Sequence, residues 1–224
     1  MARRGGVSGG RDLAVRVKTA KKRRLSSTQW LERQLNDPYV AEAKRRGYRS
    51  RAAFKLIQLD ERFRLFAGAS RIVDLGCAPG GWTQYAVGRG RTVIGIDLSP
   101  TEPMAGATVI QGDFRESEIA AAVTAALGGA ADLVLSDMAA PATGHAPTDH
   151  LRVVALAEEA FAFAETVLRP GGAFVAKVFQ GGAEGSLLAA LKRGFAEVRH
   201  AKPAASRAES AETYVVAKGY RGRA

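Results

Sequence analysis

Two kinds of hydrophobic pattern alternate along most of the chain. Short apolar runs bounded by Gly, Pro or acidic residues predict β-strands near 71–75, 92–97, 107–110, 132–136, 173–179, 196–200 and 213–217. Apolar residues at helical spacing predict helices between them, near 80–88, 115–127, 151–168 and 183–194. Strands that alternate with helices in this way predict an α/β fold, in which a mostly parallel, doubly wound sheet is covered by helices on both faces.

The last two predicted strands are joined differently from the others. The segment AKPAASRAESAE at 201–212 has no apolar pattern long enough for a helix. A parallel crossover usually contains such a helix. We therefore predict that this pair is antiparallel, and that the last strand of a seven-stranded sheet runs against the others.

A basic segment precedes the first predicted strand. Phe54, Ile57, Leu59 and Phe63 recur at helical spacing and predict a helix with one buried face. The stretch KRRGYRSRAAFKL at 44–56 leads into it and contains no acidic residue. A solvated face that only aids solubility would normally carry both signs of charge. We predict that RNA is contacted here by Lys44, Arg45, Arg46, Arg49 and Arg51.

The positive charge of the chain is concentrated near its N-terminus. The sequence contains 33 Lys and Arg against 22 Asp and Glu, and residues 1–25 hold nine of the basic residues and one of the acids. These residues are also rich in Gly, so we predict a flexible basic arm at 1–26 and a single folded domain at 27–224. A polyanion is the natural partner of such an arm, because neutralising phosphates releases counterions. A solubilising tail and a transit peptide are the alternatives.

Composition argues against membrane, secreted and metal-binding proteins. No apolar stretch approaches the roughly 20 residues that span a bilayer, and the first residues lack the apolar run of a secretory signal. Cys77 is the single cysteine, which fits a reducing compartment and predicts a cytoplasmic protein. His145, His150, His200 and Cys77 lack the spacing of metal ligands, so we predict no metal site.

A glycine-rich turn follows the first predicted strand. In VDLGCAPGGWTQYA at 73–86, Gly76, Gly80 and Gly81 would let a ligand approach the backbone closely. Asp97 ends the next strand, where a carboxylate can accept hydrogen bonds from both hydroxyls of a nucleoside ribose. Asp113 ends the third, near the expected position of an adenine amino group. The spacing is not that of dinucleotide enzymes and no phosphate loop is present, so the adenosine of S-adenosylmethionine is the favoured ligand.

Seven short blocks resemble one known family in the same order and at similar intervals. They are RSRAAFKL, VDLGCAPGGW, IDLSP, QGDFR, SDMA, AKVFQG and SRAESAETYVVAKG. Together they resemble the FtsJ (RrmJ) family of RNA ribose 2′-O-methyltransferases, from Ser27 to Gly219. The sequence departs from the bacterial ribosomal members at Cys77, where they typically have Ala, and at SDMAAP, where they have SDMAPN.

The resemblance implies a Rossmann-like methyltransferase fold, S-adenosylmethionine as the methyl donor, and a catalytic set of Lys55, Asp137, Lys177 and Glu212. It also implies that Trp82 borders the donor site and that Asp137 lies close to the donor. The implied substrate is a uridine ribose of large-subunit ribosomal RNA, in an assembled or assembling subunit. We expect a monomer that needs no metal.

The chemistry of methyl transfer supports this set independently. The sulfonium of the donor is a good leaving group, so the enzyme must orient a weakly nucleophilic ribose hydroxyl and accept its proton. Lys177, in the apolar strand AFVAKVF, is well placed to be this base, and Lys55 to hold a phosphate or the 2′-oxygen. Burial and the charge of Lys55 favour a neutral Lys177, whereas Asp137 favours its ammonium, so the net effect stays open. Glu212 would position Lys55 or the ribose.

Other functions are compatible with parts of the sequence. A transfer-RNA 2′-O-methyltransferase would share the donor motifs and the catalytic set. A non-catalytic RNA-binding assembly factor could retain the fold, although the intact set of four residues argues against it. A dinucleotide oxidoreductase is disfavoured by the glycine spacing and by the basic segments.

The loop at 139–149 is rich in Ala, Pro and Gly. It would either cover the donor site as a lid or form a disordered connection, and the sequence leaves both open. Asp149 is predicted to cap the N-terminus of the helix near 151–168.

Overall fold

Seven strands form one sheet, as predicted. The computed structural model of the protein describes residues 31–32, 34–180 and 185–222. The strands are β1 (Arg71–Leu75), β2 (Thr92–Asp97), β3 (Ala107–Gln111), β4 (Ala131–Ser136), β5 (Leu168–Phe179), β6 (Phe195–Ala201) and β7 (Glu212–Tyr220). Their order across the sheet is β3-β2-β1-β4-β5-β7-β6. β7 is antiparallel to β5 and to β6, whereas the other neighbouring pairs are parallel, which confirms the predicted direction of the last strand.

Helices cover both faces of the sheet. In chain order they are α1 (Pro38–Arg45), α2 (Ala53–Phe63), α3 (Gly81–Gly88), α4 (Ser117–Leu127), α5 (Ala146–Val167) and α6 (Gly185–Gly194). α2 and α3 pack on one face, where Leu56 and Trp82 belong to a buried cluster with strand residues. α4, α5 and α6 pack on the other face, where Val123, Phe161 and Leu187 belong to a second cluster. The doubly wound α/β arrangement is therefore confirmed.

Some predictions fall on residues that the structure does not describe. The basic arm at 1–26 lies outside the described residues, as do 183–184 at the start of the last predicted helix. The division into an arm and a domain at 27–224 stays a prediction. Each helix in the described ranges is too short or too polar to cross a membrane.

The start of α5 differs from the prediction. This helix begins at Ala146, with Pro147 in its first turn, where the missing N–H of proline costs no helical hydrogen bond. Asp149 therefore lies inside the helix, and the prediction that it caps the N-terminus is wrong. Its carboxylate instead accepts hydrogen bonds from the backbone N–H groups of Thr143 and Gly144 in the preceding loop.

β5 is longer than predicted. It starts at Leu168, which pairs with Ala131, and the register shifts before Ala173 pairs with Leu133. The segment 170–172, Pro-Gly-Gly, has the sequence of a turn but is accommodated in this irregularity of the strand. The sequence pattern therefore indicates only the regular part of β5, from residue 173 onward.

Candidate active site

Four charged side chains from four elements meet at one edge of the sheet. Lys55 lies in the first turn of α2, Asp137 directly follows β4, Lys177 lies near the end of β5, and Glu212 begins β7. Because β7 is antiparallel, its first residue lies at the edge where β4 and β5 end. The carboxyl ends of parallel strands are the usual place for ligands in open α/β sheets.

Strand register places the strand side chains on a common face. Lys177 pairs with Tyr214, and Phe179 pairs with Glu212, across β5 and β7. Side chains two residues apart share a face of a strand. Lys177, Glu212 and Tyr214 therefore project to the same face of the sheet, the face that α2 covers, and Lys55 reaches them from that helix.

The four charged groups form one connected cluster, which we call the tetrad. The ammonium of Lys177 lies 3.1 Å from a carboxylate oxygen of Asp137 and donates to the Asp137 backbone carbonyl at 2.7 Å. The ammonium of Lys55 lies 2.8 Å from Glu212 and 3.5 Å from Asp137. Lys177 lies 4.0 Å from Glu212. Two positive and two negative charges thus balance one another, and their side chains are only 7% to 16% exposed.

Asp137 is the shared acceptor at the centre of the tetrad. Burial by itself would raise the pKa of Asp137, but the charges of Lys177 and Lys55 and a hydrogen bond from the Tyr214 hydroxyl lower it below its usual value. That hydroxyl donates at 2.6 Å, and burial together with the charge of Asp137 raises the pKa of Tyr214 well above its usual value. Asp137 is therefore an anion and Tyr214 a fixed donor.

Glu212 is held by two donors. One of its oxygens accepts from Lys55, and the other accepts from the hydroxyl of Ser206 at 2.7 Å. Ser206 is buried in the connection between β6 and β7, and the guanidinium of Arg51 donates to the carbonyl of the adjacent Ala205 at 2.5 Å. Neither Ser206 nor Tyr214 was identified from the sequence. Tyr214 could have been found from its spacing, since it lies two residues after Glu212 in the same strand.

A cavity of about 400 Å³ opens beside the tetrad at the same edge of the sheet. Of the residues predicted to bind the donor, Gly76, Asp97, Asp113 and Asp137 line it. The other lining residues include the apolar side chains of Ile96, Leu98, Phe114, Met138 and Pro141. Its size lies within the range of about 300 to 1,000 Å³ that is typical of small-molecule sites. Asp137 borders both the cavity and the tetrad.

The glycine turn beside the cavity depends on Asp97 and Gly76. The carboxylate of Asp97 accepts hydrogen bonds from the N–H groups of Ala78 at 2.9 Å and Ser99 at 2.8 Å. Gly76 has a left-handed φ of +74°, and a Cβ there would lie 2.4 Å from Cγ of Met138. Only glycine therefore satisfies both the conformation and the close approach of Met138.

The other residues predicted to bind the methyl donor pack helices near the tetrad. Gly80, Gly81 and Trp82 do not line the cavity. Gly80 has a left-handed φ of +108° directly before α3, and a Cβ on Gly81 would lie 2.2 Å from Oγ of Ser50. Trp82 is buried with its ring centre 5.7 Å from that of Tyr214. These residues pack α3 against α2 and thereby position the tetrad.

Asp113 is paired in this structure. The guanidinium of Arg115 donates to both of its oxygens, at 2.5 to 3.0 Å, and holds the pKa of Asp113 below its usual value. Arg115 also lies 3.4 Å from Glu159 of α5. Arg115 therefore links the end of β3 to α5 beside the cavity, although its 54% exposure means that the ion pairs contribute little to stability.

The predicted loop at 139–149 is shorter in the structure, because residues 146–149 belong to α5. Ala139, Ala140 and Pro141 of this loop contribute to the lining of the cavity. The loop is held by Asp149, as described above, and by Arg152, whose guanidinium donates to the carbonyl of Pro141 at 3.2 Å. Its role as a lid over the donor stays a prediction.

The predicted RNA-binding residues have two kinds of surroundings. Lys44, Arg45 and Arg46 are exposed at the end of α1, and the two arginines pair with Glu42 of the same helix. Burial of Ala43 alone in α1 explains why no apolar stripe revealed this helix in the sequence. Contact of the three exposed residues with RNA stays a prediction.

Arg49 and Arg51 are instead turned toward the protein. Arg49 donates to the backbone carbonyls of Glu102 at 2.6 Å and Pro103 at 2.7 Å. Arg51 lies 3.0 Å from Asp37 and its side chain is 17% exposed. Both guanidinium groups therefore stabilise loops around the site. A run of basic residues in the sequence does not predict this role.

Asp74 is a further buried acid near the tetrad. Burial, together with the charges of Asp137 and Asp97, raises its pKa to about 7, although a hydrogen bond from Thr83 opposes the shift. The Thr83 hydroxyl donates to Asp74 at 2.6 Å. Asp74 was not identified from the sequence, because it lies within the apolar run that predicts β1 and was counted as part of that strand.

Substitution of Asp74 by Asn should change how stability depends on pH. Because the folded pKa of Asp74 exceeds the unfolded one, its favourable contribution is complete below the unfolded value and is lost as pH rises toward about 7. We expect Asp74→Asn to gain about 1 kcal/mol or more in free energy of unfolding relative to the wild type between about pH 4 and pH 7. Urea unfolding across this range measures the difference.

Asp132→Asn is the matched control, since the pKa of Asp132 is lowered: burial would raise it, but hydrogen bonds from the Arg71 N–H and Arg169 prevail. The control should lose stability relative to the wild type as pH rises through about 4. A difference between Asp74→Asn and wild type that is constant with pH would show that Asp74 does not titrate in this range.

Cys77, His145 and His150 each contact other protein groups or are buried. Cys77 is buried, and burial raises the pKa of its thiol to about 12. The His145 ring lies 2.8 Å from the Thr148 hydroxyl, and the His150 ring packs 6.1 Å from that of Phe179. In the described part of the chain, no group of three or more His, Cys, Asp or Glu is arranged to hold a metal ion.

Comparison with known proteins assigns the chain to a family. A model of the FtsJ-like methyltransferase family matches residues 48–220, which include the whole tetrad. The chain belongs to this family. Ribosomal RNA large subunit methyltransferase E from Paramagnetospirillum magneticum is 61% identical to this FtsJ-like methyltransferase, over 97% of the chain and 93% of the relative. The protein of the same name from Granulibacter bethesdensis is 60% identical, over 96% of the chain and 94% of the relative.

Solved structures agree with this assignment. A Plasmodium falciparum protein described as a ribosomal RNA methyltransferase superposes on this FtsJ-like methyltransferase with a TM-score of 0.71 at 33% identity, over 79% of the chain and 100% of that structure. Human methyltransferase-like protein 13, solved with SAH, gives a TM-score of 0.52 at 12% identity, over 75% and 79%. The second likeness shows a shared fold, and the predicted methyltransferase fold is confirmed.

Proposed function

We propose that this FtsJ-like methyltransferase transfers a methyl group from S-adenosylmethionine to a ribose 2′-hydroxyl of large-subunit ribosomal RNA. The observation that carries the proposal is the position of Asp137, which lines the 400 Å³ cavity and also contacts both lysines of the tetrad. A donor in the cavity and a hydroxyl at the tetrad would therefore lie next to each other. In this arrangement Lys177 of the protein itself is the general base for the transfer.

The residues of the cavity fit S-adenosylmethionine. Acids at the ends of β2 and β3, Asp97 and Asp113, suit the ribose hydroxyls and the adenine amino group. A carboxylate has about four acceptor positions, of which Asp97 uses two, so others are free for the ribose. Asp113 accepts four hydrogen bonds from Arg115, and an adenine amino group would have to replace one of them. The apolar walls, with Leu98 and Phe114, suit the adenine ring. The donor supplies an electrophilic methyl group on a sulfonium.

The tetrad supplies what the hydroxyl needs. The ammonium of Lys177 donates two hydrogen bonds to Asp137, one to its carboxylate and one to its backbone carbonyl, and these fix the lysine side chain. To act as the base, Lys177 first releases a proton to solvent; the neutral amine then accepts the proton of the 2′-hydroxyl, while the ribose oxygen attacks the methyl carbon and displaces the sulfur of the donor. Lys55 holds the 2′-oxygen or an adjacent phosphate, and Glu212, itself fixed by Ser206, sets the position of Lys55. Orientation of this kind is the main source of rate enhancement for a weak nucleophile.

The substrate proposal rests on the relatives. Two proteins at least 60% identical to this chain are named for methylation of large-subunit ribosomal RNA. A uridine is proposed as the target, in an assembled or assembling subunit, with the cytoplasm as the place of action and a monomer as the acting form. Lys44, Arg45, Arg46 and the basic arm at 1–26 are proposed to supply RNA affinity through contacts with phosphates.

One assay tests the proposal. Labelled methyl groups from S-adenosylmethionine are offered to large-subunit RNA, large subunits and transfer RNA in parallel, followed by alkaline hydrolysis. A methylated 2′-hydroxyl blocks cleavage at its own phosphate, so label in an alkali-resistant dinucleotide from large-subunit material is the expected result. Label in transfer RNA alone would overturn the substrate, and label in a base would overturn the chemistry. No transfer to any RNA despite donor binding would favour an assembly factor.

Asp97→Asn should weaken donor binding more than any other property. Loss of the carboxylate removes an acceptor for the ribose hydroxyls, so we expect Kd for S-adenosylmethionine to rise about 10- to 100-fold, or about 1.4 to 2.8 kcal/mol. Titration calorimetry measures it, with Asp132→Asn at the opposite edge of the sheet as a control that keeps the wild-type Kd. An unchanged Kd in Asp97→Asn would remove Asp97 from the proposed donor site.

A further inference from the structure

The edge of the sheet opposite the tetrad is strongly basic. Nine Lys and Arg lie where parallel strands begin, where helices α2, α3 and α6 end, and where β7 ends. We call them the amino-edge cluster: Arg64, Arg71, Arg89, Arg91, Arg169, Lys192, Arg193, Lys218 and Arg221. Four acids lie among them: Asp60, Asp132, Glu165 and Glu197, the last of which pairs in register with Lys218. Glu61 and Arg62 in the last turn of α2 carry opposite charges and cancel in the net charge of this edge.

This cluster contains the basic surplus of the folded chain. Residues 26–224 contain 24 Lys and Arg against 21 Asp and Glu. Without the amino edge, with its nine basic and four acidic residues, 15 basic and 17 acidic residues remain. Apart from this edge, residues 26–224 therefore have no surplus of positive charge, and the edge is a surface that attracts a polyanion.

Observed contacts connect parts of the cluster that come from different elements. The ammonium of Lys218 donates to the carbonyl of Phe63 at the end of α2, at 2.9 Å. Arg221 donates to the carbonyl of Lys192 at the end of α6, at 3.0 Å. A cavity of about 290 Å³ lies within the surface and is lined by the charged residues Arg64, Asp132, Arg169 and Lys218.

Three of the four acids of this edge already have partners. Asp132 accepts hydrogen bonds from the N–H groups of Ser70 and Arg71 and pairs with Arg169. Asp60 is buried and accepts from the N–H of Phe66. Glu197 pairs with Arg199, which is not a member of the cluster. The nine basic residues therefore outnumber the carboxylates that could neutralise them.

Four members of the cluster have no partner in the described part of the chain. The exposed side chains of Arg64, Arg71, Lys192 and Arg193 make no hydrogen bond or ion pair there. Cations at helix C-termini are favoured by the helix dipole, which accounts for Lys192 and Arg193 in the last turn of α6. It does not account for Arg71, which begins a strand. Arg64 follows α2 with a left-handed φ of 54°, a position that normally favours glycine.

We propose that the amino-edge cluster binds the phosphate backbone of the substrate RNA as a second contact, separate from the tetrad. The inference rests on the proposed function, since it takes RNA as the substrate. Lys218 of the cluster lies six residues after Glu212 of the tetrad along β7, or about 20 Å away at about 3.4 Å per residue. An RNA that contacts both edges must extend past the end of the sheet, so the enzyme selects long, folded RNA over a short hairpin.

The test compares charge-removing and charge-keeping variants of the full chain. The first combines Arg64→Gln, Arg71→Gln, Lys192→Gln and Arg193→Gln, whose side chains have no described partner to lose. The matched control combines Arg64→Lys, Arg71→Lys, Lys192→Arg and Arg193→Lys. Kd is measured for protein-free large-subunit RNA, large subunits and a short hairpin over a range of salt, together with Kd for S-adenosylmethionine.

We expect the Gln variant to bind large-subunit RNA about 10-fold or more weakly at low salt. The slope of log K against log salt should fall by about 3, since each phosphate contact contributes about 0.7 to 0.9. The Lys and Arg control should match the wild type, and affinities for the hairpin and the donor should not change. Equal affinity of both variants for large-subunit RNA would overturn the proposal, as would an equal loss on the hairpin.

Two further outcomes separate this proposal from others. Weaker binding of the Gln variant to large subunits, without weaker binding to protein-free RNA, would overturn RNA as the partner in favour of a ribosomal protein. Failure of the wild type to methylate any RNA would overturn the proposed function, whereas the binding measurements here do not depend on methyl transfer.

Discussion

Lys177→Met should lower kcat for methyl transfer by about 10³-fold while the enzyme still binds its donor. Removing a general base typically costs 10²- to 10⁴-fold, and about 10³-fold corresponds to about 4 kcal/mol in the barrier. Methionine keeps the length and apolar stem of Lys177, so the packing within β5 is preserved. Single-turnover transfer to the RNA that proves to be the substrate measures the chemical step directly.

Lys177→Arg distinguishes a base from a positive charge. Arginine keeps the charge beside Asp137 but stays protonated and does not accept a proton. If Lys177 is the base, the Arg variant should be nearly as inactive as the Met variant. Activity of Lys177→Arg within about tenfold of the wild type would show that charge alone is needed, and the Kd for S-adenosylmethionine should remain close to the wild-type value in both variants.

Asp137→Asn should be the most destabilising substitution in the tetrad. It leaves Lys177 and Lys55 buried without the carboxylate that they share, and loss of one partner of a buried ion pair costs about 3 to 5 kcal/mol. Methyl transfer should also be lost, because Asp137 orients Lys177. Urea unfolding at neutral pH and single-turnover transfer measure the two effects.

The pH dependence and a double variant make the origin of this loss testable. Because the pKa of Asp137 is lowered in the folded protein, its stabilisation is complete above the unfolded value and is lost as pH falls through the folded value. The difference between wild type and Asp137→Asn should therefore shrink below about pH 4. Adding Lys177→Met should restore part of the stability without restoring activity. Additive destabilisation in the double variant would contradict an energetic link between Asp137 and Lys177.

The sequence predicts the parts of the site that lie where strands end. Asp97, Asp113 and Asp137 follow apolar runs, and parallel strands bring their carboxyl ends to one edge, so their common location follows from the pattern alone. Lys177 is visible as a charge inside an apolar strand. Lys55 and Glu212 needed the family resemblance, because one lies in a basic helix and the other at an ordinary strand start.

What the sequence leaves out depends on strand order and register. Ser206 reaches the tetrad only because β7 lies between β5 and β6, an order that no periodicity encodes, whereas the spacing of Tyr214 from Glu212 is visible in the sequence. Asp74 reads as part of a strand, and its unusual pKa arises from burial near other acids. The sequence predicts Arg49 and Arg51 as RNA contacts. In the structure, Arg49 donates to the backbone carbonyl of Glu102 and Arg51 pairs with Asp37. Partners of this kind are set by the tertiary fold.

The antiparallel direction of β7 limits how the length of this chain can vary. Glu212 and Tyr214 must project to one face while their strand still reaches Lys218 at the opposite edge. Insertion or deletion of one residue between Tyr214 and Lys218, within the part of β7 that pairs with β5, would shift the register by one and turn Glu212 and Tyr214 to the other face. Length changes in this protein are therefore tolerated in exposed turns such as the one at Gly128, and excluded from β7.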